Sequence, residues 1–293
     1  MTEFKGVVAA ILTPFDDEDR IDFEYVKRLL RFVEDEGCNG FVVSGTNGEF
    51  PSMSVEERMV LIETCASHKG RMFMVAGTGC SNLRETIELT KFAESVGADA
   101  AMVVPPYFFF YASEFGIVEY YKRVFDAVSL PIFLYNIPQC SGIRITDAVV
   151  EALACYPHLA GVKDSSGDLG STLHYITAYP KLQIFVGDDH HCLTALAAGA
   201  AGHVSGMPNA FPRLVTELYA AFVEGRDAWP YQMRLSMARH IYSAFPEFAV
   251  NKFVLSRRGF PVRHCRLPLV DLTETQKLEF EKLMRAAGLW DVD

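Results

Sequence analysis

The chain is short of several things, and each shortage removes a class of function. No apolar run among its 293 residues is long enough to span a bilayer, which takes about 20 residues as a helix. Positive charge is in deficit: 27 Lys and Arg against 37 Asp and Glu give a formal charge of -10. Nucleic acid and anionic membrane surfaces are poor partners for such a chain. The cysteines are Cys38, Cys65, Cys80, Cys140, Cys155, Cys192 and Cys265, an odd set with no Cys-x-x-Cys pair. That pattern fits reduced thiols in a cytosolic protein better than a disulfide framework or a zinc site. The segment Met1-Thr2-Glu3-Phe4-Lys5 lacks the charged-then-apolar layout of a signal peptide. A cytoplasmic location is therefore expected. No Gly-x-Gly-x-x-Gly follows the first predicted strand, which counts against an open, doubly wound dinucleotide fold.

What is present is alternation. Short β-rich apolar runs occur at 6–12, 40–44, 72–77, 98–104, 131–135, 159–163, 183–187 and 202–205. Amphipathic stretches lie between them. Phe23, Val26, Leu29, Leu30 and Val33 share one helical face, with Glu24, Lys27, Arg28 and Arg31 opposite. Ser54-Val55-Glu56-Glu57 reads as a capping box. Gly37, Gly70 and Gly97 sit where helix C-caps belong. Eight βα units predict an α/β fold of the (β/α)8 TIM-barrel class, with its site at the carboxyl ends of the strands. The barrel is assigned to 1–210. The remainder, 211–293, reads as helices packed on it, with periodic apolar residues at Leu214, Val215, Leu218, Phe222 and again at Leu278, Phe280 and Leu283.

The strand ends carry the chemistry. The run His158-Leu159-Ala160-Gly161-Val162 ends in Lys163, followed at once by Asp164-Ser165-Ser166-Gly167. Burial disfavours the charged form of an amine. A neutral amine is a nucleophile that forms a Schiff base with a carbonyl substrate. The plain alternatives are a lysine snorkelling from the strand end or one paired with Asp164. After strand two, Gly45-Thr46-Asn47-Gly48-Glu49 offers backbone N–H groups and a hydroxyl to an anion, a carboxylate being a natural guest; an ordinary Gly/Asn turn is the alternative. After strand five comes Tyr135-Asn136-Ile137-Pro138, whose tyrosine can pass a proton if a partner holds its hydroxyl. After strand seven, Gly187-Asp188-Asp189-His190-His191 invites a metal reading, but adjacent side chains on a strand diverge and no third ligand is evident. Polar groups for a hydroxylated substrate suit it better. Together, an amine, a carboxylate holder and a proton carrier imply a 2-oxo acid substrate whose imine acts as an electron sink.

These residues resemble the dihydrodipicolinate synthase and N-acetylneuraminate lyase superfamily of pyruvate-dependent class I aldolases, over nearly the whole chain. The carriers are Thr13-Pro14-Phe15, Gly45-Thr46-Asn47-Gly48-Glu49, Tyr135-Asn136-Ile137-Pro138, Gly161-Val162-Lys163-Asp164-Ser165 and Gly187, in the family's order and spacing. The resemblance implies that Lys163 forms the imine and Tyr135 is the general acid/base. Thr46 and Asn47 would bind the carboxylate, with Thr46 bonded to Tyr135. Ser165 would line the second-substrate pocket. Gly187, Asp189, His190 and Ser205, at the ends of strands seven and eight, complete the expected substrate-binding set. A homotetramer built from dimers is implied, with neither metal nor organic cofactor.

Two departures bear on the substrate. Dihydrodipicolinate synthases carry an arginine at the position that Cys140 occupies here, and a thiol cannot replace a bidentate guanidinium clamp. Arg144 lies nearby in sequence, but a strand-to-helix loop cannot be assumed to bring it back. In Pro105-Pro106-Tyr107-Phe108-Phe109-Phe110-Tyr111, the relay tyrosine of the family falls on Phe108. Tyr107 or Tyr111 would have to substitute, or Thr46 and Tyr135 would work with water. The aromatic run itself reads as an interface. Other segments, Thr46-Asn47-Gly48-Glu49-Phe50-Pro51 and Lys163-Asp164-Ser165-Ser166-Gly167-Asp168, look like those of 4-hydroxy-2-oxoglutarate and 2-keto-3-deoxy-sugar-acid aldolases. The expected activity is cleavage of a 4-hydroxy-2-oxo acid to pyruvate and an aldehyde. The alternatives are a 2-keto-3-deoxy acid dehydratase, dihydrodipicolinate synthase itself, and a non-catalytic 2-oxo-acid-binding regulatory protein.

Overall fold

The amphipathic segments fold as helices that begin at side-chain caps. Asp22 accepts from the Tyr25 amide at the start of helix Phe23–Asp35. Ser54 and Glu57 form the reciprocal capping box of helix Val55–Ser67. Asn82, Ser113, Thr146 and Asp168 cap later helices in the same way. Gly37, Gly70 and Gly97 take φ values of 91, 59 and 86° just past helix ends, a region glycine enters without steric cost. The computed structural model describes residues 3–292. Met1, Thr2 and Asp293 lie outside the described residues, and with them the start of the N-terminal segment read above.

All eight expected strands form: β1 Gly6–Ala10, β2 Gly40–Val43, β3 Phe73–Gly77, β4 Ala100–Val103, β5 Ile132–Asn136, β6 Leu159–Asp164, β7 Gln183–Val186 and β8 Gly202–Ser205. They pair in parallel and in sequence order, and β1 pairs with β8 to close the barrel. Side chains alternate across each strand, so one set fills the barrel. Val8, Val42, Phe73, Phe133 and Phe185 line that interior together with Lys163. Phe133 and Phe185 meet edge to face at 5.6 Å. The lysine therefore rises from an apolar floor.

After β8, helix Pro212–Val223 packs on β1 and on helix Cys192–Ala198, burying Leu214, Val215 and Leu218. Helix Trp229–Tyr242 follows and packs against the turn Asp189–His191 beyond β7. It thereby brings side chains to the carboxyl end of the barrel. Helix Glu247–Arg257 sits beside it, and helix Glu274–Ala286 closes the group. In that last helix the expected apolar face is corrected. Phe280 is buried, but its buried companion is Met284, while Leu278 is 71% and Leu283 40% exposed. Residues two apart on a helix point to nearly opposite sides, so Leu278 and Phe280 never shared a face.

Candidate active site

Register brings the two principal side chains together. Tyr135 on β5 and Lys163 on β6 are directly paired Cα partners, so both point to the barrel interior from neighbouring strands. Lys163 is 6% exposed, and its Nζ lies 4.1 Å from the centre of the Tyr135 ring. Among the described residues, no carboxylate lies within ion-pair distance of it. The pairing with Asp164 that the sequence left open does not form. Asp164 points the other way and accepts from Asn136 Nδ2 at 2.8 Å, Thr172 Oγ1 at 2.7 Å and the Ser166 amide at 3.1 Å.

The loop after β2 is the one expected to receive an anion. Thr46 and Asn47 stand in a single 3-10 turn, and Glu49 leaves it with φ 56°. Thr46 Oγ1 is 3.2 Å from Tyr135 Oη. The buried amide oxygen of Asn47 has no partner among the described residues. A side-chain amide turned by half a rotation presents its N–H groups instead, which suits a carboxylate guest. The loop is held from beneath. Thr13 Oγ1 donates to the Gly48 carbonyl at 2.7 Å. The carboxylate of Glu49, also buried, pairs with Lys252 and accepts from the Arg266 amide at 2.9 Å. Phe15 lies under both cations, with Lys252 Nζ at 4.9 Å and Arg266 Cζ at 4.2 Å from its ring. The motif Thr13-Pro14-Phe15 thus fixes a loop it does not belong to.

The far wall comes from β7 and β8. Gly187 is required there, because a Cβ at that position would fall 1.9 Å from Ser165 Oγ. Asp189 is buried and accepts from Ser205 Oγ at 2.7 Å. Its Oδ1 is 3.2 Å from His203 Nε2, and its Oδ2 is 4.0 Å from Arg239 Nη1. Burial opposes ionisation of Asp189, but His203 and Arg239 outweigh it and hold its carboxyl below the usual carboxylate range.

A cavity of about 300 Å³ joins these parts. Its lining includes Lys163, Tyr135, Thr46, Asn47, Ser165 and Gly187, and also Asp189 and Ser205. His190, the remaining expected member, is exposed and not among the lining residues. Its amide is turned back to Asp188 Oδ1 at 2.8 Å. Among the described residues, no group of three or more His, Cys, Asp or Glu is arranged to hold a metal ion. Two larger hollows, of about 760 and 400 Å³, lie beside Asp16 and beside Tyr156, away from the lysine.

Sequence reasoning missed several lining residues, the charged Arg239 and Glu247 among them. These two come from the helices after the barrel, and Arg239 Nη1 lies 2.6 Å from Glu247 Oε2. A signal was available: Arg239 interrupts the buried stripe Leu235, Ala238 and Tyr242 of its helix. Cys140 lines the cavity, whereas Arg144 is exposed and does not. Among the described residues no third hydroxyl is bonded to Thr46 Oγ1 or Tyr135 Oη. Tyr107 packs edge-on against Phe50 at 5.6 Å, outside the cavity. Phe108 holds φ at 77° and is 77% exposed. Phe110, Tyr111 and Phe115 are exposed beside it.

The sequence profile of the dihydrodipicolinate synthetase family matches residues 3–287. An uncharacterized DapA-like lyase of Chloroflexus aurantiacus is 36% identical over 294 residues, covering 97% of this chain and 98% of its own. A 4-hydroxy-tetrahydrodipicolinate synthase of Acidiphilium cryptum is 36% identical over 290 residues, covering 98% and 99%. Among solved structures, the E. coli K12 prophage protein YagE, of the dihydrodipicolinic acid synthase family and in complex with pyruvate, superposes with a TM-score of 0.93. It is 28% identical and covers 99% of this chain and 100% of that one.

Proposed function

This chain belongs to the dihydrodipicolinate synthetase family of pyruvate-dependent lyases and synthases, and from that premise we propose that it is a Schiff-base aldolase cleaving a 4-hydroxy-2-oxo acid to pyruvate and an aldehyde. The observation that carries this reading is the buried Lys163, free of any carboxylate among the described residues, beside a tyrosine whose hydroxyl lies 3.2 Å from Thr46. The amine attacks the C2 ketone, and water leaves as the protonated imine forms. Tyr135 takes the proton of the C4 hydroxyl. The C3–C4 bond breaks, its electron pair moves through C2 to the imine nitrogen, and the aldehyde departs. The enamine takes a proton at C3, and water hydrolyses the imine to release pyruvate and the free amine. The residues invoked need no metal or organic cofactor. Thr46 and Asn47 hold the substrate carboxylate, and Ser165, Asp189 and Ser205 lie toward the second half.

Condensation of pyruvate with aspartate semialdehyde is the second reading, favoured by relatives named 4-hydroxy-tetrahydrodipicolinate synthase. Cys140 in the cavity wall counts against it, because a thiol gives the semialdehyde carboxylate no guanidinium. The exposed aromatic run 108–111, with a strained phenylalanine at its start, supports a subunit interface and the tetramer of dimers that the family resemblance implies. A cytoplasmic location completes the proposal.

The test is to incubate the protein with pyruvate, reduce with borohydride and map the product by peptide mass spectrometry. A pyruvyl adduct on Lys163 is expected. Folded protein with no adduct there would sink the reading.

A further inference from the structure

The outer half of the cavity has a charge pattern that the inner half does not share. Inside, Thr46 and Asn47 offer a hydroxyl and an amide to the substrate's own carboxylate. Outside, Asp188, Asp189 and Glu247 line the wall against one guanidinium, that of Arg239. Arg239 is already engaged by Glu247 at 2.6 Å and lies 4.0 Å from Asp189. His203, behind the wall and out of the cavity, is 3.2 Å from Asp189 and neutralises one carboxylate at most. The outer wall keeps a net negative charge.

We propose that Arg239 and Glu247, with Asp188 and Asp189, make this cavity selective for an uncharged, hydroxylated aldehyde half and against one that ends in a carboxylate. The inference rests on the aldolase reading and narrows its substrate to the sugar-acid type. A second carboxylate would find Arg239 Nη1 already bonded to Glu247 and would face that carboxylate and two more across a partly enclosed site. Hydroxyl groups meet no such conflict. Each both donates and accepts, so a polyol satisfies the acceptor-only carboxylates and the donor-only guanidinium together. The pair is also placed for discrimination by position. It sits on the helices after the barrel, away from the strand ends that hold the imine. His203, outside the cavity and 3.2 Å from Asp189, acts as a positioning group for that carboxylate.

The experiment compares kcat/KM for aldol addition of pyruvate to racemic glyceraldehyde and to glyoxylate, in the wild-type protein, Glu247→Gln and Asp188→Asn. Borohydride trapping of pyruvate is run on each protein in parallel. Wild type is expected to favour glyceraldehyde at least about fivefold, and removing one wall charge to narrow that ratio at least about threefold, as charge-based discrimination predicts. Smaller values in either measure, with the Lys163 adduct present, would overturn the selectivity while leaving the aldolase reading intact. Absence of the adduct in the wild-type protein would overturn both. Asp188→Asn keeps the cap on the His190 amide, so it answers the question even if Glu247→Gln does not fold.

Discussion

Two lysines are buried in this protein, and their surroundings differ in kind. Lys252 is 2% exposed and fully engaged. It pairs with Glu49, donates to the His264 carbonyl and lies over the Phe15 ring. Lys163 is 6% exposed, its Nζ lies over an aromatic face above the apolar barrel floor, and among the described residues no carboxylate pairs with it. The Lys252 side chain is held by neighbours that match it, whereas Lys163 lacks a partner carboxylate. A buried charge is costly unless paired and bonded. The contrast is that between a joint and, on the proposed function, a reagent.

The same substitution at both positions breaks the comparison if it is wrong. Lys163→Met is expected to lower lyase turnover at least about ten-thousandfold, as losing a covalent nucleophile does, while thermal unfolding stays at or above the wild-type midpoint. Lys252→Met is expected to cost about 3–5 kcal/mol of stability, because Glu49 is left buried without its cation. Adding Glu49→Gln to it should restore part of that loss in denaturant titrations. If Lys252→Met proved neutral, the joint would be no joint. The smallest effect sharpens the reagent side. Thr46→Val removes the partner of the Tyr135 hydroxyl and should lower kcat by about 2- to 10-fold, the worth of one hydrogen bond of about 0.5–1.5 kcal/mol, with the pyruvate adduct still formed.

The barrel was legible because its signals are local. Strand runs, the Ser54 box and the three C-cap glycines each lie within a few residues, and all took the expected form. Lys163 and Tyr135 lie near strand ends and Thr46 in the turn after β2, and a closed parallel barrel gathers such positions on one rim, so their meeting in one cavity could be expected from sequence. Arg239 and Glu247 were not found, since their approach to the rim depends on how the later helices dock. His190 failed for a local reason: a turn begins at Asp189, so the next side chain swings outward. Leu278 and Leu283 failed because apolar residues were counted without fixing their angular position.

The bond between Glu49 and Lys252 spans 203 residues of sequence. A ribosome makes the carboxylate cradle early and its clamp late. Until helix Glu247–Arg257 has emerged and docked, Glu49 lacks its cation, so on the proposed function the nucleophile is synthesised well before the loop that would hold the substrate is clamped. Competence to bind is in this sense a checkpoint on completed synthesis.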